Sequence, residues 1–365
     1  MTLSVVLAGG GTTGHVGPLL ALADCLRRRD PATKIVALGT AEGLESRLVP
    51  AAGYDLELLP RVPLPRRPSA DLFRLPGRLS GAVTAASRVL DGADVLVGFG
   101  GYVSAPAYLA AKRLGVPIVV HEANARPGVA NRLGARLTSH VAISFPGTPL
   151  RGAQLTGLPL RRQITSLDRA SQRQTARIAL GLQANRTTLF VTGGSLGAQR
   201  LNETFGAAAP DLLAAGVQVL HTAGRGKQVQ FAAGTPSDVA GYVVTEYLDR
   251  MDLAYAAADL VVCRSGAGNV SEVAALGLPA AYVPLPVGNG EQRLNAEPVV
   301  AAGGGILVDN KDCTPQWVRA VLIPLLCDPG RLAEMGSAAA AFGIRDGDER
   351  LANLVELAAG RPEVS

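Results

Sequence analysis

The chain opens on a short unbroken apolar run, Leu3–Ala8 (LSVVLA), which breaks at three glycines and gives way to an apolar-periodic stretch from Pro18 to Arg29. A parallel strand covered by helices on both faces reads as such a run rather than as strict alternation. Ile35–Leu38 predicts the next strand. Asp94–Val97, a GFGG turn, a helix near Ala105–Leu114 and a strand Ile118–Val120 repeat the unit, and His140–Ile143 is again strand-like. The second half restates the first. Thr188–Val191 leads into GGSLGAQRLNETF, and DLVVCRSGAGNVSEVAALGLPAAYVPL from Asp259 lines up with DVLVGFGGYVSAPAYLAAKRLGVPIVV from Asp94. Strands alternating with glycine turns and helices predict an α/β fold of two Rossmann-like, doubly wound domains. The expected division is 1–158, 159–345, and a helical stretch 346–365 packing back on the first domain.

One segment departs from this pattern. Residues 61–90 (RVPLPRRPSADLFRLPGRLSGAVTAASRVL) hold six arginines and one aspartate, so the formal charge of +5 resides here and the remainder of the chain is balanced. Leu64, Leu72, Phe73, Leu75 and Leu79 are interleaved with Arg66, Arg67, Arg74 and Arg78. An ordinary Pro-rich connection and surface helix would read this way. So would an interfacial patch whose apolar side chains enter a bilayer while its arginines meet anionic headgroups.

Other properties of the chain exclude classes. Its 365 residues are 48% hydrophobic, enough for two buried cores and too many for a disordered chain. The 43 glycines follow no collagen period and serve turns and close backbone approach. Cys25, Cys263, Cys313 and Cys327 have no disulfide or zinc spacing and are expected as reduced thiols. No signal peptide and no run of about 20 apolar residues is expected. With 4% aromatic residues and no basic-aromatic motif, nucleic acid is not an expected partner.

Two glycine loops, GGGTTGH (Gly9–His15) and GGSLGA (Gly193–Ala198), each stand between a strand and a helix. Such loops let the backbone approach a phosphate, and the helix N-terminus directs N–H groups and a positive dipole at it. There is no GxxxxGK[ST] motif. Neither loop is read as meeting the dinucleotide pattern of G-x-G-x-x-G with an acid about 20 positions on, so a dehydrogenase is disfavoured. A bulky nucleotide between two loop-bearing domains fits better.

GGGTTGH, GFGGYVSAP, HEAN, GGSLGAQRLN, CRSGAGNVSE and EQRLNA occur in this order over about 300 residues. In this combination the chain resembles the MurG family, the glycosyltransferases that add GlcNAc to undecaprenyl-linked muramyl-pentapeptide in peptidoglycan synthesis. One position differs: Thr13 stands where the family's loop commonly has a small residue, often glycine. The resemblance implies a GT-B fold with two domains facing a deep cleft. It also implies UDP-GlcNAc as donor, undecaprenyl-diphospho-MurNAc-pentapeptide as acceptor, and no tightly bound cofactor or required divalent metal.

The resemblance further implies site residues. Ser195 would bind the diphosphate and Arg161 would lie near it. Leu248 would present backbone groups to the uracil, and Glu272 would accept from the ribose hydroxyls. Ala267, Gly268, Asn269, Val270 and Ser271 would form the loop before Glu272. Gln292 and Asn124 would read GlcNAc hydroxyls, and Thr12, Thr13 and Gly14 would line the donor from the first loop. His15 is the candidate general base, because an imidazole suits proton transfer near neutrality; capping the helix or merely touching substrate is the alternative. Gly100, Gly101 and Tyr102, with Arg66, Arg67, Phe73, Arg74, Leu75, Arg78 and Leu79, are expected on the acceptor side, facing an anionic membrane surface. The protein would then sit peripherally on the cytoplasmic face of the cell membrane and serve cell-wall growth, shape and division. A UDP-GlcNAc epimerase, another GT-B sugar transferase and a non-catalytic sugar-nucleotide sensor are the competing readings.

Overall fold

A computed structural model describes residues 2–62, 71–194, 197–232 and 239–361. The chain divides into two compact units, Met1–Arg161 with Asp346–Ser365, and Arg162–Arg345.

Among the described residues the first unit is built on a parallel sheet of β1 (Ser4–Gly9), β2 (Lys34–Gly39), β3 (Asp55–Leu58), β4 (Val95–Gly100), β5 (Ile118–Glu122), β6 (His140–Ile143) and β7 (Gln154–Leu155), in the order β3-β2-β1-β4-β5-β6-β7. Helices α1 (Thr13–Arg29), α2 (Glu45–Ala51), α3 (Asp71–Leu90), α4 (Ser104–Leu114) and α5 (Val129–Gly134) connect the strands. β1 and β4 are almost wholly buried, which is why they read as continuous apolar runs.

One core, with Leu7, Leu19, Leu22 and Val97, also takes in Leu351, Ala352, Leu354 and Val355 of the helix Gly347–Ala358. That helix is tied to the end of α1 by Arg28 with Asp348 and Glu349 (3.0 Å each) and by Arg29 with Glu349 (2.6 Å) and Glu356 (2.9 Å). Partly exposed pairs contribute little each, so the apolar face does most of the docking. A second core, with Val6, Leu96, Ala107 and Tyr108, lies under α3 and α4.

The second unit repeats the plan with β8 (Thr188–Thr192), β9 (Gln218–Thr222), β10 (Tyr242–Thr245), β11 (Leu260–Cys263), β12 (Ala280–Tyr282) and β13 (Gly305–Leu307), ordered β10-β9-β8-β11-β12-β13. Strand for strand, β8 to β13 take the places of β1 to β6. The alignment of the two sequence halves is therefore a topological equivalence, β4–α4–β5 matching β11, the helix Ala267–Ala275 and β12.

Several boundaries differ from the expectation. α1 begins at Thr13, five residues before Pro18, so it carries that proline inside the helix, past the first turn, at the loss of one backbone hydrogen bond. GFGG is not a turn: Gly98 and Phe99 continue β4, and a Cβ at Gly98 would strike the Tyr108 ring. Residues 71–90 fit the α/β plan after all, since α3 is the crossover between β3 and β4, with Ala82, Ala86 and Leu90 buried.

Candidate functional site

In an open parallel sheet, ligands bind beyond the carboxyl ends of the strands where the strand order reverses. In the first unit that point lies between β1 and β4, and both glycine segments of the sequence end there. Gly9 pairs with Gly100 at the last register position. Gly11, Gly100 and Gly101 have φ of +90°, +98° and +85°, a region open to glycine at little cost. Gly101 also packs on the Gly10 carbonyl, where a Cβ would lie 2.5 Å from the oxygen. Beneath the loops, Ser104 Oγ accepts from Gly100 N–H (3.0 Å) and lies 2.9 Å from the Ala8 carbonyl oxygen, fastening β1 to the start of α4.

His15 stands in the first turn of α1, half-buried, with its backbone N–H on the Thr12 carbonyl. Its Nδ1 is 2.9 Å from the Gly10 carbonyl oxygen and 3.3 Å from Thr12 Oγ1. A carbonyl oxygen can only accept, so the Gly10 contact places the neutral ring's proton on Nδ1 and leaves a lone pair on Nε2. Nε2 is turned to the backbone of Gly100, 3.2 Å from where a Cβ there would stand. Tyr102 is exposed, with the Arg61 guanidinium 4.8 Å from its ring centre.

The loop after β5 is organised by a carboxylate. Glu122, 3% exposed, accepts from the backbone N–H of Asn124 (2.9 Å) and Gly128 (3.0 Å) and from Asn131 Nδ2 (2.9 Å). Asn124 is half-buried on this loop.

At the equivalent point of the second unit, the loop after β8 has φ of +77° at Gly194 and +65° at Gly197. Gly197 packs against Ala223 and Gly224, and Lys227 Nζ stands 3.5 Å from the Gly197 carbonyl oxygen. The loop after β11 runs directly into the helix Ala267–Ala275, with extended Gly266 as its N-cap. Residues 267–271 are thus not a loop but the first turns of a helix, because nothing after Gly266 interrupts helical backbone. The correction gives the site a helix N-terminus with unpaired N–H groups. Asn269 Nδ2 donates to the Arg264 carbonyl (2.8 Å), and Glu272 Oε2 accepts from the Tyr255 hydroxyl (2.8 Å). Gln292, in the first turn of the helix Glu291–Ala301, accepts from Leu285 N–H (3.0 Å) through Oε1, which presents its Nε2 as the donor side. Leu248 is half-buried in the connection between β10 and the helix Met251–Ala257.

The structure thus gathers His15, Thr12, Gly14, Gly100, Gly101 and Tyr102 at one switch point. Gly268, Asn269, Ser271 and Glu272 lie at the other, with Ala267 and Val270 buried behind them. Asn124 and Arg161 belong to the first unit, and Arg161 is exposed at its boundary. Ser195, Arg66 and Arg67 lie outside the described residues, as do the side chains of Thr13, Phe73 and Arg74. Leu75 and Leu79 are half-buried on α3 and Arg78 is exposed.

The first loop also needs one correction. Gly9, Gly11 and Gly14 do have G-x-G-x-x-G spacing. However, Asp30, the acid at about the right distance, caps the end of α1. β2 itself ends on Gly39 and carries no acid to hold a ribose.

Sequence reading missed Glu45, Lys227 and Asn131. Glu45 lies 34 residues from Gly11 and Lys227 lies 30 from Gly197, while Asn131 is nine from Glu122, and the chain pattern offered no signal for these pairings. Among the described residues one cluster has metal-ligating side chains within mutual reach, Cys25, Asp348 and Glu349. Its carboxylates are already paired with Arg28 and Arg29, and burial and the two acids push the Cys25 thiol up to about 12.

Residues 5–143 match the N-terminal domain of glycosyltransferase family 28 and residues 188–351 its C-terminal domain. A protein of Streptomyces avermitilis is 58% identical over 97% of this chain and 98% of its own length. One from Paenarthrobacter aurescens is 59% identical over 97% of this chain and 95% of its own. Both are named UDP-N-acetylglucosamine–N-acetylmuramyl-(pentapeptide) pyrophosphoryl-undecaprenol N-acetylglucosamine transferase. Among solved structures, MurG of Acinetobacter baumannii superposes with a TM-score of 0.79 at 28% identity, covering 97% of this chain and 99% of that one.

Proposed function

The chain belongs to glycosyltransferase family 28, and on that premise we propose that it transfers N-acetylglucosamine from UDP-GlcNAc to the 4-hydroxyl of N-acetylmuramic acid in undecaprenyl-diphospho-MurNAc-pentapeptide. The observation that carries this reading is identity of more than half the residues, over nearly the whole chain, to proteins named for that transfer. The reading extends to the chemistry of the step. The donor sugar is α-linked and the product β-linked, so the hydroxyl attacks C1 opposite the leaving diphosphate. As the O4–C1 bond forms, the C1–O bond to phosphate breaks and its electron pair leaves with UDP.

The hydroxyl proton passes to His15 Nε2, whose lone pair the Gly10 contact keeps available. Charge developing on the diphosphate meets the loop Gly193–Gly197, the N-terminus of the helix Ala267–Ala275, Lys227 and Arg161. With these groups the reaction requires no divalent metal. Glu272 takes the ribose and Gln292 the sugar.

Among the described residues no helix is long and apolar enough to cross a membrane. The basic and apolar side chains of residues 61–90, with the loops at Gly10–His15 and Gly98–Tyr102, face an anionic bilayer that holds the acceptor. The enzyme works peripherally at the cytoplasmic face and serves cell-wall synthesis, and through it cell shape and division.

The test is transfer of radiolabelled GlcNAc to a short-chain polyprenyl-linked muramyl-pentapeptide in the presence of a chelator. Labelled product is expected, whereas UDP-GlcNAc without acceptor stays intact; its consumption alone would mark an epimerase. His15→Ala should lower kcat by about 10²-fold or more at saturating substrates.

A further inference from the structure

Three glycines from separate parts of the chain make room for one carboxylate. A Cβ on Gly10, Gly39 or Gly43 would collide with the side chain of Glu45. Glu45 opens α2 and is fully buried, at 0% exposure. Its Oε1 accepts from Thr40 N–H (2.8 Å) and the Thr40 hydroxyl (3.0 Å), and its Oε2 accepts from Gly11 N–H (2.8 Å). Burial by itself would raise this carboxyl; the Gly11 and Thr40 donors outweigh burial and hold it below its ordinary range, so it is ionised at neutral pH.

The N–H of Gly11 and the C=O of Gly10 belong to one peptide group. Glu45 takes the N–H end, and His15 Nδ1 donates to the C=O end at 2.9 Å. A carboxylate on the N–H polarises the carbonyl and makes it a stronger acceptor, as in any hydrogen-bonded chain. We propose that Glu45 is a positioning residue for proton transfer at His15, acting through the Gly10–Gly11 peptide. It holds the loop so that Nδ1 keeps its proton and Nε2 stays the base. It also stabilises the imidazolium formed when Nε2 takes the acceptor's proton. The other buried acid of this region, Glu122, is engaged by Asn131, Asn124 and Gly128, and reaches the ring's surroundings through Asn131. The inference rests on the reading of His15 as base.

The test uses the full chain with ¹⁵N-labelled imidazole. In the wild type at neutral pH, the nitrogen shifts should report the Nδ1–H tautomer; the Nε2–H tautomer would overturn the proposal without any variant. Glu45→Gln turns an amide donor toward Gly11 N–H. It should move the His15 titration midpoint, and the acid limb of the kcat–pH profile, down by about half a unit. It should also lower kcat about tenfold. Thr40→Val removes a donor to the same carboxylate but leaves the Gly11 link, so it should cost stability while tautomer, midpoint and pH profile stay as in the wild type. A purely structural Glu45 would make the two variants behave alike and leave the titration unmoved, which overturns the proposal. Near-normal kcat in His15→Ala removes the base reading and the proposal with it. An inactive His15→Ala beside an unchanged Glu45→Gln removes the proposal alone.

Discussion

The four histidines of this chain show how far surroundings decide what one side chain does. His15 stands at a loop with one nitrogen fixed by a carbonyl and the other turned to the backbone of Gly100. His121 and His221 are fully buried. His221 donates from Nε2 to Asn202 Oδ1 (3.0 Å) and accepts on Nδ1 from the Tyr242 hydroxyl (2.8 Å); Asn202 Nδ2 in turn donates to the Ala223 carbonyl (3.0 Å). Burial pushes His221 down to about 3. Burial likewise takes His121 to about 4, with its bond to the Gly157 carbonyl opposing. Each value is depressed, so the stability tied to the neutral ring is fully present above the unfolded value of about 6.5 and is lost as pH falls toward the folded one. A variant His221→Gln should therefore be less stable than wild type at pH 7. In urea unfolding the gap should narrow by about 2 kcal/mol between pH 6.5 and pH 5, because only the wild type carries this titration. A gap independent of pH would mean that His221 takes up its proton in the native state as readily as in the unfolded chain.

Among the elements, the segments from strand end to helix start carry the proposed chemistry, and they were the hardest boundaries to read. β4 runs through Gly98, where Tyr108 leaves no space for a side chain, and ends only on Gly100. The helix Ala267–Ala275 starts at the residue after Gly266, in a stretch of small and polar residues with weak periodicity. Gly197 is the element-scale counterpart in the donor unit. Its φ is +65°, and a Cβ would press on the Ala223 carbonyl and on Gly224 Cα, at 2.8 Å from the latter. Gly197→Ala should push the loop off β9 and raise the KM for UDP-GlcNAc about tenfold or more, while the melting temperature falls by only a few degrees. An unchanged KM would show that this loop does not hold the donor diphosphate.

On the scale of the whole molecule, one chain builds the same strand order twice, with its last helix returned to the first unit. The positive charge is not shared between the units but sits in residues 61–90, which lead into and include α3 of the first. In the proposed function this segment meets the bilayer. Replacing Arg66, Arg67, Arg74 and Arg78 by Glu should abolish sedimentation with vesicles containing anionic lipid at low salt, through reversal of four charges. The same variant should retain binding of UDP-GlcNAc, because the donor residues lie elsewhere. Unchanged vesicle binding would assign the patch to ordinary surface.

The sequence alone determined the fold class, the repeat of the two halves and the glycine loops. Buried parallel strands must be apolar on both faces, and close backbone approach demands glycine, so both are written locally as residue type and spacing. Candidate roles for His15, Glu272 and Gln292 came from the family resemblance that the motifs carry. Tertiary structure decided what no local pattern encodes: that Gly10, Gly39 and Gly43 make room for Glu45, that α3 is a crossover, and that His121 and His221 are buried while His15 stands half-buried on the Gly10 carbonyl. These depend on which distant residue fills a space or offers a hydrogen bond. That is fixed only when the strands between them take their order in the sheet.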